Sequence, residues 1–144
     1  MSGELKPAPS RRSSGDGARR PRVLIVEDDA LIGLYEERTL SALGYEVERA
    51  TNAREALRLA GEAGAGHDLV LMDIDLGEGM DGIEAAFELR KYSEAPILFL
   101  SSMSEAEVAA RAEGLGAWSF FPKGVGAAAL ARRIEGLLGG GGSP

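Results

Sequence analysis

Three stretches of this chain are apolar without a break: Val23-Leu24-Ile25-Val26, Leu69-Val70-Leu71-Met72 and Ile97-Leu98-Phe99-Leu100. A fourth, Ala117-Trp118-Ser119-Phe120-Phe121, is broken only by a serine. A strand with one wet face alternates apolar and polar residues, and a strand covered on both faces does not. These runs therefore predict strands of a sheet covered on both sides. A fifth stretch, Tyr45-Glu46-Val47-Glu48, does alternate, as an edge or half-covered strand would. Between the strands the period changes. From Ala30 onward, Ile32, Tyr35, Thr39, Leu40 and Leu43 fall on one helical face, and Gly44 supplies a stop. Asn52 is placed to cap a helix running to about Ala60. Ile83, Ala86, Phe87 and Arg90 mark a third helix, and residues 104–113 an Ala-rich fourth that Gly114 and Gly116 end. Leu130, Ile134 and Leu137 form the stripe of a fifth.

Five strands thus alternate with five helices. Short strands joined by helical crossovers form right-handed βαβ units around a parallel sheet. The expected fold class is α/β, a single three-layer, doubly wound, five-stranded parallel sheet. The flavodoxin-like strand order 2-1-3-4-5 suits five strands. The domain is expected over residues 22–138. Residues 1–21 are rich in Ser, Gly, Pro and Arg and read as a disordered basic tail, and residues 139–144 as a flexible Gly-rich tail.

Composition narrows the chemistry. With 144 residues, 44 % of them hydrophobic, the chain holds one domain plus tails. It has no cysteine, which excludes disulfides, thiolate metal sites and a cysteine nucleophile. No apolar run approaches the ~18 residues of a membrane span, and the N-terminus lacks the apolar core of a secretory signal. A cytoplasmic location without membrane contact is the expectation. The net charge of −7 is unevenly spread. Residues 1–22 carry six Lys/Arg against two acids, and residues 23–144 ten against twenty-one. So acidic a body argues against nucleic acid as a partner of this domain, because phosphate contacts need Lys and Arg. The basic tail reads as a solvated leader.

In open α/β sheets, ligands bind where the strands end at their carboxyl side. With the order above, the ends of strands 1, 3, 4 and 5 lie side by side. Strand 1 delivers Glu27 and Asp28, strand 3 Asp73, strand 4 Ser101, and the loop after strand 5 Lys123. Three acids in one crevice repel one another and stay ionised only beside a cation. Hard carboxylate oxygens suit Mg²⁺, which keeps waters and takes phosphate as a further ligand. Lys123 adds a point charge. The set suits phosphoryl transfer to a carboxylate, with Asp73 as nucleophile and Ser101 as a hydrogen-bond donor to the transferred group.

Five segments carry a family resemblance: Val-Leu-Ile-Val-Glu-Asp-Asp from Val23, Leu-Val-Leu-Met-Asp-Ile from Leu69, Met-Asp-Gly-Ile-Glu from Met80, Pro-Ile-Leu-Phe-Leu-Ser from Pro96 and Gly-Ala-Trp-Ser-Phe-Phe-Pro-Lys from Gly116. In this order and spacing the chain resembles the CheY-like receiver domains of two-component response regulators, over residues 22–138. The resemblance implies that Asp73 accepts a phosphoryl group from a sensor histidine kinase or a phosphotransfer protein. It implies Asp28 and Asp73 as side-chain Mg²⁺ ligands, Glu27 acting through water, and the backbone carbonyl of Asp75 completing the site. Ser101 becomes the switch hydroxyl, Phe120 the aromatic switch residue and Lys123 the phosphate-sensing lysine. The expected output is a downstream protein target or a self-dimer, bound through the face of helix 4, strand 5 and helix 5. The chain would then be no enzyme beyond phosphorylating itself from a phosphodonor and slowly losing the phosphate. It departs from the family in three places. Gly124 stands after Lys123 where a proline is usual, Gly77-Glu78-Gly79 replaces a shorter Pro-containing turn, and Phe120 replaces a common tyrosine.

Other readings compete. Asp73-Ile74-Asp75 also resembles the nucleophile motif of haloacid-dehalogenase-like phosphatases. That family places its acidic metal pair after the lysine, whereas Glu27-Asp28 comes first here. A degenerate receiver serving only as a docking module is opposed by the presence of Asp28, Asp73 and Lys123. Gly77 to Gly82 matches G-x-G-x-x-G, but Glu78 and Asp81 would face a pyrophosphate. Asp29 and Asp81 read as helix caps, His67 as a loop residue, and Trp118 and Phe121 as core or helix-contacting residues. The resemblance suggests that Asp75 and Met103 tune dephosphorylation. A stand-alone receiver or a piece of a longer protein both fit the sequence.

Overall fold

The computed structural model describes residues 19–139. The elements run β1 (Arg22–Val26), α1 (Ala30–Ala42), β2 (Glu46–Ala50), α2 (Ala53–Ala60), β3 (Leu69–Asp73), α3 (Gly82–Leu89), β4 (Ile97–Ser101), α4 (Glu105–Arg111), β5 (Trp118–Pro122) and α5 (Ala127–Leu137). The five strands form one parallel sheet in the order β2-β1-β3-β4-β5. This is the doubly wound, flavodoxin-like α/β architecture that the alternation of apolar runs and helical stripes predicts. Except for Arg19, Arg20 and Pro21 at one end and Gly139 at the other, the two expected tails lie outside the described residues. Arg19 is held by a two-pronged pair with Asp68, at 3.0 and 3.1 Å.

The uninterrupted runs are apolar because the sheet is covered on both faces. Every residue of β3 and of β4 is buried. One face packs Leu24, Val70, Met72, Ile97 and Phe99 against α2, α3 and α4. The other packs Val23, Ile25, Leu71, Leu98 and Phe121 against α1 and α5. At the edge, β2 keeps only Ala50 fully buried. Asn52, Asp29 and Asp81 cap α2, α1 and α3 through their side chains, as their residue types favour.

Two helices are turned differently from the expected stripes. In α1 the buried residues are Gly33, Glu36 and Leu40. Ile32 is 48 % and Tyr35 62 % exposed, and Leu43 is exposed as well. Only Leu40 of the expected face reaches the core, because α1 sits on the sheet through a glycine and an acid. In α3, Ile83 and Ala86 are buried with Ala85 and Leu89, while Phe87 faces out.

Candidate functional site

The carboxyl ends of β1, β3 and β4 open into one crevice, and the loop after β5 closes it. Asp73 is the last residue of β3 and is 2 % exposed. Its Oδ1 pairs with Lys123 Nζ at 2.8 Å and accepts a hydrogen bond from the Asp75 amide at 3.1 Å. Lys123 is positioned by its own backbone, whose amide donates to the Ser101 carbonyl at 3.0 Å. Burial pulls the Lys123 pKa down. The bond to Asp73 and the charges of Asp73, Glu27 and Asp75 outweigh it and hold the ammonium above its usual value.

β1 runs directly into Glu27 and Asp28. Glu27 is buried, and its Oε2 accepts from the Asp29 amide at 3.1 Å. Its pKa is pushed up to about 8. Burial is the main cause; the Asp29 amide opposes it, and the charges of Asp73 and Glu36 add to it. Asp28 is exposed at the rim. One carboxylate oxygen from each of Glu27, Asp28 and Asp73 lies within 4.8 Å of the other two. Three hard oxygen donors, one of them strained toward its neutral form by burial and negative neighbours, share the single direct cation contact of Lys123 on Asp73. Such a donor set fits a divalent oxygen-seeking cation.

Ser101 ends β4, one residue beyond Leu100, which pairs with Asp73 across the sheet. Its buried Oγ accepts from the Met103 amide at 2.7 Å. Phe120 is half-buried on β5 and packs against the same core as Trp118 and Met103. Asp75 is exposed beside Asp73. The crevice thus holds Glu27, Asp28, Asp73 and Lys123, with Ser101 at its edge and Phe120 on the strand behind.

The loops at the crevice are built on glycine. Gly77 and Gly79 have φ of 80° and 87°, a region that L side chains rarely adopt. A Cβ on Gly82, in the first turn of α3, would collide with the Asp73 carbonyl oxygen and Ile74 Cα. The Gly82 amide donates to the Ile74 carbonyl at 2.8 Å, so α3 is pressed onto the end of β3. The N-terminus of α3 is occupied by the capping box of Asp81 and Glu84, which disposes of a pyrophosphate there. After Lys123, Gly124 and Gly126 take φ of 87° and 112°. No described peptide is cis.

One residue escaped the sequence reading. Glu36, on the inner face of α1, is buried, and its pKa is pushed up to about 7. Burial comes first, Asp73 adds to it, and Lys123 opposes it. The signal was the spacing 33, 36, 40, a helical face that holds a glycine and an acid in place of large apolar residues. His67 also proved buried. It lies in the loop before β3, with Nε2 2.7 Å from Glu48 Oε1.

A strand-end carboxylate paired with a lysine among acids, at the switch of a 2-1-3-4-5 sheet, defines a class. The family model for the response regulator receiver domain matches residues 23–135, and the chain belongs to that family, the receiver domains of two-component systems. Among curated relatives, the transcriptional regulatory protein PdtaR of Mycobacterium tuberculosis is 36 % identical over 124 residues, 85 % of this chain and 59 % of that protein. The uncharacterized transcriptional regulatory protein YrkP of Bacillus subtilis is 45 % identical over 83 residues, 58 % of this chain and 34 % of that protein. The chain therefore spans about three fifths of one and a third of the other. Among solved structures, the CheY-like receiver domain protein of Methanospirillum hungatei has 28 % identity and a TM-score of 0.75, covering 83 % of this chain and 94 % of that one. The chemotaxis protein CheY4 of Vibrio cholerae has 29 % identity and a TM-score of 0.74, covering 83 % and 99 %.

Proposed function

We propose that Asp73 accepts a phosphoryl group from a sensor histidine kinase or a phosphotransfer protein, and that the modified domain changes its affinity for a partner. The observation that carries this reading is the Asp73–Lys123 pair at 2.8 Å, with Asp73 buried at the foot of the acid cluster and Lys123 reaching it from the exposed rim. An Asp73 carboxylate oxygen forms a bond to phosphorus while the donor's bond to phosphorus breaks. The leaving group takes the electron pair and, from a histidine donor, a proton. Asp28 and Asp73 would hold Mg²⁺ by their side chains, Glu27 through water and Asp75 through its carbonyl. When bound, the ion neutralises charge on the transferring phosphoryl oxygens. Lys123 supplies a second positive charge, and the Ser101 hydroxyl, which here donates to the Met103 carbonyl at 3.4 Å, turns its proton to the phosphoryl group.

The donor domain must reach Asp73 from the carboxyl side of the sheet. Leu31 and Ile32, exposed within a turn of Asp28 and Asp29, offer it apolar contact there. The output surface is the α4–β5–α5 face, where Phe120 turns with Ser101, and its partner is a downstream protein or a second receiver. Such a domain phosphorylates and slowly dephosphorylates itself but does not turn over phosphomonoesters. The acid pair ahead of the nucleophile, rather than after Lys123, speaks against the phosphatase alternative. The proposed place of action is the cytoplasm; among the described residues no helix is long and apolar enough to cross a membrane.

The test is incubation with Mg²⁺ and acetyl phosphate, followed by intact-mass and peptide mass spectrometry. One phosphoryl adduct on Asp73 is expected, and none in Asp73→Asn. Rapid phosphomonoester turnover without an adduct would overturn the reading.

A further inference from the structure

Among the described residues, Glu36 Oε1 is a buried side-chain oxygen with no hydrogen-bond partner. Folded proteins rarely leave such an atom unpaired, because burial without a partner costs the hydration it loses. An apolar side chain would fill this core position at no such cost, as Leu40 does one turn on.

The placement of Glu36 gives the reason. It shares the inner face of α1 with Gly33, and a Cβ on Gly33 would meet Glu27 Cγ at 3.7 Å. Glu36 is 7 % exposed, and its charge is felt by Glu27 and feels those of Asp73 and Lys123. The charged groups around this face are therefore Glu27 from the end of β1, Asp73 from β3, Lys123 from beyond β5, and Arg49 from β2, whose Nη1 would stand 3.1 Å from a Cβ on Gly33. Its own neighbour Glu37 is tied to Arg49 of β2 at 2.9 Å. Glu36 stands behind the crevice, sealed from solvent, with an acceptor to spare.

We propose that Glu36 is a positioning residue of the phosphoacceptor site, a fourth acid behind the crevice that strengthens cation binding by Glu27, Asp28 and Asp73 and competes for Lys123. The proposal rests on Asp73 being the acceptor. Lys123 has one charge and three N–H donors. Asp73 takes one donor at 2.8 Å. A negative Glu36 draws the same ammonium the other way and so away from an incoming phosphoryl group. The same charge adds to the attraction for a divalent cation and repels an anionic phosphodonor. The residue therefore sets two quantities in opposite senses, cation affinity and transfer rate.

The experiment compares the wild-type chain with Glu36→Gln, which keeps the shape and removes the charge, at pH 8. Mg²⁺ affinity is read by titration calorimetry without phosphodonor. The rate of Asp73 adduct formation from acetyl phosphate is read at saturating Mg²⁺. The Mg²⁺ dissociation constant is expected to rise roughly three- to tenfold, and the saturated rate to rise by about twofold or more, as for loss of one partly screened charge. At pH 6, where Glu36 holds its proton, both differences should shrink. Glu36→Leu removes the same charge and fills the space, so it should reproduce both changes even if the glutamine variant folds poorly. Unchanged Mg²⁺ affinity and rate in these variants at pH 8 would sink the role of Glu36. If the wild type binds Mg²⁺ but gains no adduct, the phosphoacceptor reading fails instead, and the calorimetry still decides whether Glu36 acts on the cation.

Discussion

Glu27 and Glu36 carry carboxyl groups that hold their protons more tightly in the folded chain than in the unfolded one. Their pKa values of about 8 and about 7 stand above the ordinary 4.5, mainly because both are buried. Below pH ~4.5 both states are protonated and neither group opposes folding. As pH rises toward 8 the unfolded chain ionises first, so stability is lost with rising pH and the loss is complete above pH ~8. For Glu36 alone the ceiling is about 3 kcal/mol, at 1.36 kcal/mol per pKa unit. Without divalent ions, the melting temperature should therefore fall from pH 5 to pH 8.5. Millimolar Mg²⁺ should recover most of the loss at pH 8.5 and almost none at pH 5. Differential scanning fluorimetry across that range tests this, and a melting temperature that stays level or climbs without Mg²⁺ contradicts it.

At the scale of elements, the β3–α3 junction fixes where Asp73 stands. α3 begins at Gly82, whose missing Cβ lets the helix rest on the Asp73 carbonyl and the Ile74 backbone. Backbone atoms cannot rotate away as a flexible side chain can. Gly82→Ala should therefore cost about 2–3 kcal/mol, in the upper part of the range for overpacking. Because the strain falls on the peptide of Asp73, the proposed acceptor, it should also slow adduct formation. Urea unfolding together with an acetyl phosphate time course measures both, and a variant as stable as wild type would show that the junction has slack. The capping box of Asp81 and Glu84 holds the same helix start from the other side. The loop after Lys123 takes its shape from Gly124 and Gly126, both left-handed.

At the scale of the whole molecule, the sheet joins the crevice to the face proposed to bind partners. Asp73 and Ser101 end β3 and β4, and Phe120 and Trp118 lie on β5, the next strand over. Trp118 is the single tryptophan and packs on Phe99 of β4 with ring centroids 6.0 Å apart. Its indole is half-exposed at the face proposed to bind partners. Phosphorylation that reorganises Ser101 and Phe120 should thus alter Trp118 emission with the same time course as the mass shift. Asp73→Asn should abolish the change. An adduct that forms with no fluorescence change would separate the chemistry from the proposed switch.

Much of this protein is written in the order of its residues. Apolar runs without alternation can satisfy their side chains only in a sheet covered on both faces, so strands and fold class follow from pattern, and the strand order from the doubly wound arrangement that suits five strands. Because strand ends are fixed by topology, Glu27, Asp28, Asp73, Ser101 and Lys123 could be gathered at one edge before any distance was known. The helix caps Asp29, Asn52 and Asp81 were equally legible, since capping is local. The phase of α1 was not. Counting apolar residues put Ile32, Tyr35 and Leu43 inward, whereas the helix turns Gly33, Glu36 and Leu40 to the sheet. Which side of a helix is covered depends on what lies opposite it, and here that is Glu27 and Arg49, which leave room for a glycine and not for a large side chain. Glu36 gained its place beside Asp73 and Lys123 in the same way. The sequence by itself determined the sheet and the residues at its edge; the tertiary structure decided which acid stands behind them, because burial and charge proximity belong to the packed chain and not to any local stretch of it.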